Sequence, residues 1–210
     1  MHDPLKKATY RGYVRVKSRL IVATPTADGS GYSWTLAAAL GEMLLHAEEM
    51  FGPRDTSWTI LGIDFTTDGG KTWTPGNCGH IIVQLDMNCL SDRHDAYRGL
   101  AHECIHLLSP TGQADANVLE EGLAVYFEQE YMRYVFGEGW WLNQINYRNY
   151  ADAFALTKQL LALDPDIIKK IRMQEPVIAH ITAEHIREHC PLAPRELALA
   201  LAQRFSKKMT

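Results

Sequence analysis

His102-Glu103-Cys104-Ile105-His106 spells H-E-x-x-H, and Glu121-Gly122 follows downstream. On a helix, residues four apart share a face, so His102 and His106 can grip one ion from adjacent turns. Glu103 lies one residue along, where its carboxylate can reach a metal-held water without being a ligand. Two neutral imidazoles and one carboxylate suit zinc and leave a fourth coordination position open. The chemistry implied is hydrolytic.

The third ligand decides which kind of zinc site this is. Extension to H-E-x-x-H-x-x-G-x-x-H fails, because Ser109 stands at the glycine position and Gly112 at the last histidine position. The next acids are Asp115, Glu120 and Glu121. Asn117 followed three residues later by Glu120 forms a capping-box-like helix start, which gives Glu120 a local structural task. Glu121 then falls in the first turn of a helix running on through Val125, Tyr126 and Phe127, where a carboxylate also suits the helix dipole. Glu121 is the expected ligand, with Glu120 in reserve.

His102–His106 followed by Leu119-Glu120-Glu121-Gly122-Leu123-Ala124 resembles the gluzincin metallopeptidases, in which a second helix carries a glutamate ligand, often as N-E-G-x-A. The resemblance covers residues 98–127. It implies an α+β, zincin-like fold in one metallopeptidase domain over 1–210. The upper lobe (1–109) would hold a small twisted mixed sheet and the active-site helix, and the lower lobe (110–210) would be mainly helical. It also implies a zinc-dependent peptidase with one zinc per chain on His102, His106 and Glu121, and with Glu103 as general base. A lower-lobe tyrosine or histidine would then donate to the transition-state oxyanion. Tyr150 occupies the matching place after the glutamate helix, with Tyr147 as second choice.

Three departures stand out. Fourteen residues separate His106 from Glu121, fewer than in the large members, as suits a compact variant. The aspartate that thermolysin carries four residues after its glutamate is Val125 here. The G-x-M-E-N segment of the aminopeptidases is missing, so exopeptidase specificity does not carry over. Other classes share these residues: a catalytically silent, zinc-stabilised binding module, a regulatory protease with a single target, or a zinc hydrolase acting on a non-peptide amide.

The motif needs elements to hold it. Ser91-Asp92 starts the motif helix and Ser109-Pro110 stops it, since proline disfavours helix at the preceding residue. Leu100, Ala101, Ile105, Leu107 and Leu108 supply its apolar positions. Upstream, Tyr13–Lys17 and Arg19–Ala23 read as one strand or two, and Pro25–Gly31 as a loop. Leu36, Leu40, Met43, Leu44, Ala47 and Met50 recur at helical spacing, predicting an amphipathic helix over 34–51 that ends at Gly52-Pro53. Trp58–Phe65 and Ile81–Leu85 read as strands, with Asp68-Gly69-Gly70 as a tight turn. Trp73–Gly79 is read either as the exposed edge that would hold an extended substrate or as a plain hairpin loop.

Downstream, Tyr131, Tyr134, Phe136, Trp140 and Trp141 either line a specificity pocket or pack under a loop, packing being commoner for aromatics. Residues 149–163 follow a helical pattern, and Asp164-Pro165 reads as an N-cap with proline at the first helical position. Leu197, Leu199 and Leu201 belong to a last helix frayed at 207–210. His185-Ile186-Arg187-Glu188-His189 matches the inverted signature H-x-x-E-H. Only Glu196 remains as a downstream acid and Pro191 ends the helix, so solvated helix residues are the better reading. His46 and His180 have no partner pattern and read as structural.

Composition narrows the setting. With 210 residues, 46% hydrophobic and 22% charged, the chain can bury a sizeable core. A net charge of −4 and no Lys/Arg-rich run argue against a nucleic-acid partner. The first twenty residues are studded with Lys and Arg and lack a leader's apolar core, and no apolar run approaches membrane-spanning length. Cys78, Cys89, Cys104 and Cys190 show no C-x-x-C pairing and are expected to be reduced thiols. The expectation is a soluble, cytoplasmic protein acting on peptide or protein substrates, with no nucleic-acid or membrane partner; its oligomeric state is unreadable.

Overall fold

The structure is a computed structural model and describes residues 23–25, 32–137 and 147–206. The readings at Tyr13–Lys17 and most of Arg19–Ala23, the loop at 26–31, Trp140, Trp141 and the tail at 207–210 lie outside these residues. Strands β1 (Ala23–Pro25) and β2 (Tyr32–Thr35) pair antiparallel, and β2 runs directly into helix α1 (Leu36–Phe51). Thr35 caps α1 by accepting from the Ala38 amide at 3.1 Å. The helix ends at Gly52, whose φ of 94° lies in the left-handed region that favours glycine.

A three-stranded mixed sheet follows, built from β3 (Thr59–Thr66), β4 (Lys71–Trp73) and β5 (His80–Asp86) in the order β3-β5-β4. Strand β5 is central, parallel to β3 and antiparallel to β4. Ile81, Val83 and Leu85 point into the core while their neighbours are half-buried, the period-2 signature of a sheet covered on one face. Two sequence expectations change here. Asp68-Gly69-Gly70 does not close a hairpin, because β5 inserts between the strands it joins. Of the two readings of Trp73–Gly79 the edge gives way to the loop, since Pro75–Asn77 forms a short 3₁₀ segment that carries the chain back to β5, while Lys71–Trp73 is one of the sheet's two edge strands.

Helix α2 (Arg93–His106) lies against β5, where Gly99 comes close enough that an added Cβ would sit 3.2 Å from Leu85. Asp92 caps it by accepting from the His94 and Asp95 amides, as the sequence signal implies. The helix stops at His106, short of Ser109, because tertiary partners take the next groups. The Leu108 carbonyl accepts from the Asp55 amide, and Ser109 Oγ accepts from the Ile178 amide. Helix α3 (Val118–Phe136) is buried on most sides and packs against both α2 and α4 (Arg148–Leu163).

Helices α5 (Ile167–Arg172), α6 (Ala183–His189) and α7 (Arg195–Leu201) complete the lower part. Asp164 is not an N-cap. It ends α4 and its carboxylate takes the Asp166 amide at 3.1 Å and the Lys170 ammonium at 2.5 Å, and α5 starts only at Ile167.

The described architecture is α+β, with seven α-helices and the small mixed sheet. One buried apolar cluster runs continuously from Leu36 in α1 to Leu201 in α7. The two halves are also bolted together by Arg172, which is 8% exposed. Its guanidinium donates to the carbonyls of Phe51, Gly52 and Pro53 at the end of α1, to Leu108 after α2, and to Pro176. A cation at two helix C-termini satisfies the carbonyls that those ends leave open.

Candidate metal centre

Helix α2 offers His102 and His106 from adjacent turns, with ring centroids 5.4 Å apart. Helix α3 crosses beneath them and brings Glu121 from its first turns. Glu121 Oε2 lies 3.3 Å from His102 Nε2 and 3.9 Å from His106 Nε2. One ligating atom from each of the three residues falls within 4.8 Å of the others, and among the described residues this is the single group with metal-holding geometry. The donor set, two imidazole nitrogens and a carboxylate oxygen on rigid helices, fits a divalent cation with an open position left over.

The outer partners are more informative still. His106 Nδ1 lies 2.9 Å from Glu120 Oε1, and His102 Nδ1 lies 3.4 Å from Glu128 Oε2. A carboxylate on Nδ1 holds the proton there and aims the Nε2 lone pair inward, which is what a metal ligand requires. Glu120 is therefore neither a ligand nor the returning half of a capping box. Asn117 does accept from the Glu120 amide at 2.8 Å, but the Glu120 side chain is spent on His106. Helix α3 alone thus supplies the third candidate donor and both outer carboxylates. Val125 is buried and apolar, and the carboxylate that meets His102 Nδ1 comes instead from Glu128, one turn further on.

Burial disfavours charge on both imidazoles, yet their carboxylates outweigh it. His102 is raised to about 10 by Glu121 and Glu128, and His106 to about 9 by Glu120 and the charge on Glu121. A cation entering the trio would displace protons held at these rings, so its binding is a competition with protons.

Glu103 is 5% exposed, and its Oε1 lies beside Gly70, where an added Cβ would stand 3.4 Å away. The cleft over the trio encloses about 590 Å³. Strand β4 and Gly70 form one wall, Thr111–Ala116 another, and Arg98, Tyr150 and Phe205 also line it. The Tyr150 ring meets that of His102 edge-on at 5.9 Å. Burial first, then the charges of Glu121 and Glu103, push its hydroxyl far above the ordinary phenol range, so it remains a proton donor. Tyr147, the second choice, starts α4, is 53% exposed and is not among the residues lining the cleft.

Gly122 explains why α4 can bring Tyr150 so close. A Cβ there would lie 2.1 Å from Thr157 Oγ1 and 2.5 Å from the Ala153 carbonyl, so only glycine admits this helix crossing. Other sequence candidates fall elsewhere. Tyr131 and Tyr134 pack on His46, and Phe136 packs on Tyr97 and His94, so the three described members of this aromatic group pack rather than line the cleft. Cys104 is fully buried, and burial followed by the charge of Glu103 raises its thiol well above the ordinary range.

Glu128, Arg98 and Phe205 were missed by sequence reasoning. Glu128 had a signal, since seven residues is two helical turns and returns it to the face of Glu121. Arg98 had the same kind of signal four residues before His102, and it reaches Glu128 at 3.8 Å. Phe205 had none. No protein-family model matches this chain, and neither a curated protein nor a solved structure is significantly similar to it.

Proposed function

We propose that this protein is a zinc-dependent hydrolase that cleaves peptide bonds. One observation carries the reading: two imidazole Nε2 atoms and a carboxylate converge in a cleft whose wall also holds Glu103 and Tyr150. Three protein ligands of N, N and O type are the donor set of catalytic zinc, with the fourth position left for water or substrate. When bound, zinc polarises the substrate carbonyl and makes water acidic near neutral pH.

The chain's own residues do the rest. Glu103 takes the proton of the attacking water on its carboxylate and returns it to the leaving amine. The Tyr150 hydroxyl donates a hydrogen bond to the oxyanion as it develops. Glu120 and Glu128 hold the two imidazoles in the productive tautomer. Strand β4 pairs with β5 on one side and lines the cleft with Lys71, Thr72 and Trp73, which supports an extended peptide binding as an added strand.

Purified protein is expected to hold about one zinc per chain and to cleave members of a peptide library in a chelator-sensitive way. Zinc with no cleavage of any peptide would leave a zinc-stabilised binding module or a single-target enzyme. No measurable zinc affinity would end the reading.

A further inference from the structure

The last described residues return to the site. The Val118 amide donates to the Gln203 carbonyl at 2.8 Å and the Phe205 amide to the Ala116 carbonyl at 2.9 Å, while Asn117 and Arg204 form an antiparallel bridge. Arg204 Nη2 adds a bond to the Ala114 carbonyl at 2.9 Å. At the other end, Asn149 Nδ2 donates to the Ser206 carbonyl at 2.7 Å. Residues 203–206 therefore strap the start of α3, which carries Glu120 and Glu121, to the start of α4, which carries Tyr150.

Phe205 sits in the middle of this strap and lines the cleft. Its ring centroid is 4.8 Å from that of Tyr150, nearer than His102 at 5.9 Å or Tyr147 at 6.3 Å. A tyrosine hydroxyl stands at the end of two side-chain rotors, so its place is set by what the ring touches. His102 is held by its carboxylates, and Tyr147 is largely exposed and offers little wall. Phe205 is the neighbour whose segment is held on both sides, by main-chain bonds at Ala116 and Val118 and by the Asn149 side chain at Ser206.

We propose that Phe205 is a positioning residue, and that the C-terminal strap holds the Tyr150 hydroxyl in register with the His102–His106–Glu121 trio. The inference rests on the hydrolase reading for what Tyr150 does, while the coupling of Phe205 to Tyr150 does not.

The test uses the full-length, zinc-loaded protein. Phe205→Ala is expected to lower kcat about tenfold or more with KM changed less than about threefold, since a misplacement near 1 Å can cost about a hundredfold. Phe205→Tyr, which keeps the ring, is expected to retain most activity. In a Tyr150→Phe background Phe205→Ala should cost less than about twofold further, because both changes act through one hydroxyl. Independent, fully multiplied losses would overturn the proposal.

A second readout needs no turnover. In protein labelled with 3-fluorotyrosine, the ¹⁹F resonance absent from Tyr150→Phe is that of Tyr150. Phe205→Ala should broaden it or split it into exchanging positions, beyond the uniform shift that loss of a neighbouring ring gives, while zinc content stays at wild-type level. Phe205→Tyr, whose own added resonance is assigned in the Tyr150→Phe background, should restore a single sharp line. A line that stays single and sharp in Phe205→Ala overturns the coupling even if no peptide is ever cleaved. A broadened or split line upholds it even if the hydrolase reading fails.

Discussion

Helices α2 and α6 carry nearly mirror-image motifs, H-E-x-x-H at 102–106 and H-x-x-E-H at 185–189, and they behave differently. In α2 both rings turn Nε2 towards Glu121 and give Nδ1 to a glutamate of α3. In α6 the histidines serve their own helix. His185 Nδ1 accepts from the Thr182 amide at 3.3 Å to complete a capping box, and His189 Nδ1 bonds the His185 carbonyl at 3.1 Å. Spacing alone places two imidazoles on one face. What turns a face into a candidate metal site is a second helix that delivers one carboxylate to the front of the rings and two more behind them.

That comparison can be broken at several points. The largest effect belongs to Glu103→Gln, expected to lower turnover by roughly 10²- to 10⁴-fold while zinc content is unchanged; hydrolysis at the wild-type rate in a zinc-replete sample would remove Glu103 from its role. Glu121→Ala should weaken zinc affinity, read by competition with a chelating dye, by more than the roughly 10- to 100-fold usual for an outer partner. Glu128→Ala should fall within that outer range, with cleavage recovering at high zinc, whereas an unchanged affinity would make its contact with His102 incidental. The smallest effect is at the rival motif. Joint replacement of His185 and His189 by asparagine should leave zinc content and activity at wild-type level and cost at most about 1–2 kcal/mol through the weakened helix cap, measured by denaturant unfolding.

Much of the site was legible because its signals are local. The i, i+4 histidines, the Asp92 cap and the Asn117 cap each involve residues within one turn, and each lies where its pattern implies. Legibility failed where a partner is remote in sequence or where several uses compete for one side chain. Glu120 fitted a capping box on pattern, but an imidazole from another helix was the stronger partner. Central placement of β5 depends on β3 pairing across a connection that contains all of β4, and no turn signal encodes that. Asp164-Pro165 carried the residues of a helix start, yet the Asp164 carboxylate was drawn to Asp166 and Lys170. Gly122 could be read as part of a motif, while its reason lies with Thr157 and Ala153 on a helix that begins twenty-six residues later.

Apart from the peptide-holding strand β4 and Phe205, the residues proposed to do the work fall between His102 and Tyr150, which invites cutting the chain after α4. Arg172 argues against it. Cutting after α4 would strip the guanidinium from the carbonyls of Phe51, Gly52, Pro53 and Leu108. Leaving a buried polar group unmatched costs about 1–3 kcal/mol, against a typical total stability of about 5–15 kcal/mol. A protein cut there would keep His102, His106 and Glu121 and lose contacts that hold the ends of the helices around them, so a stable module extends at least past Arg172.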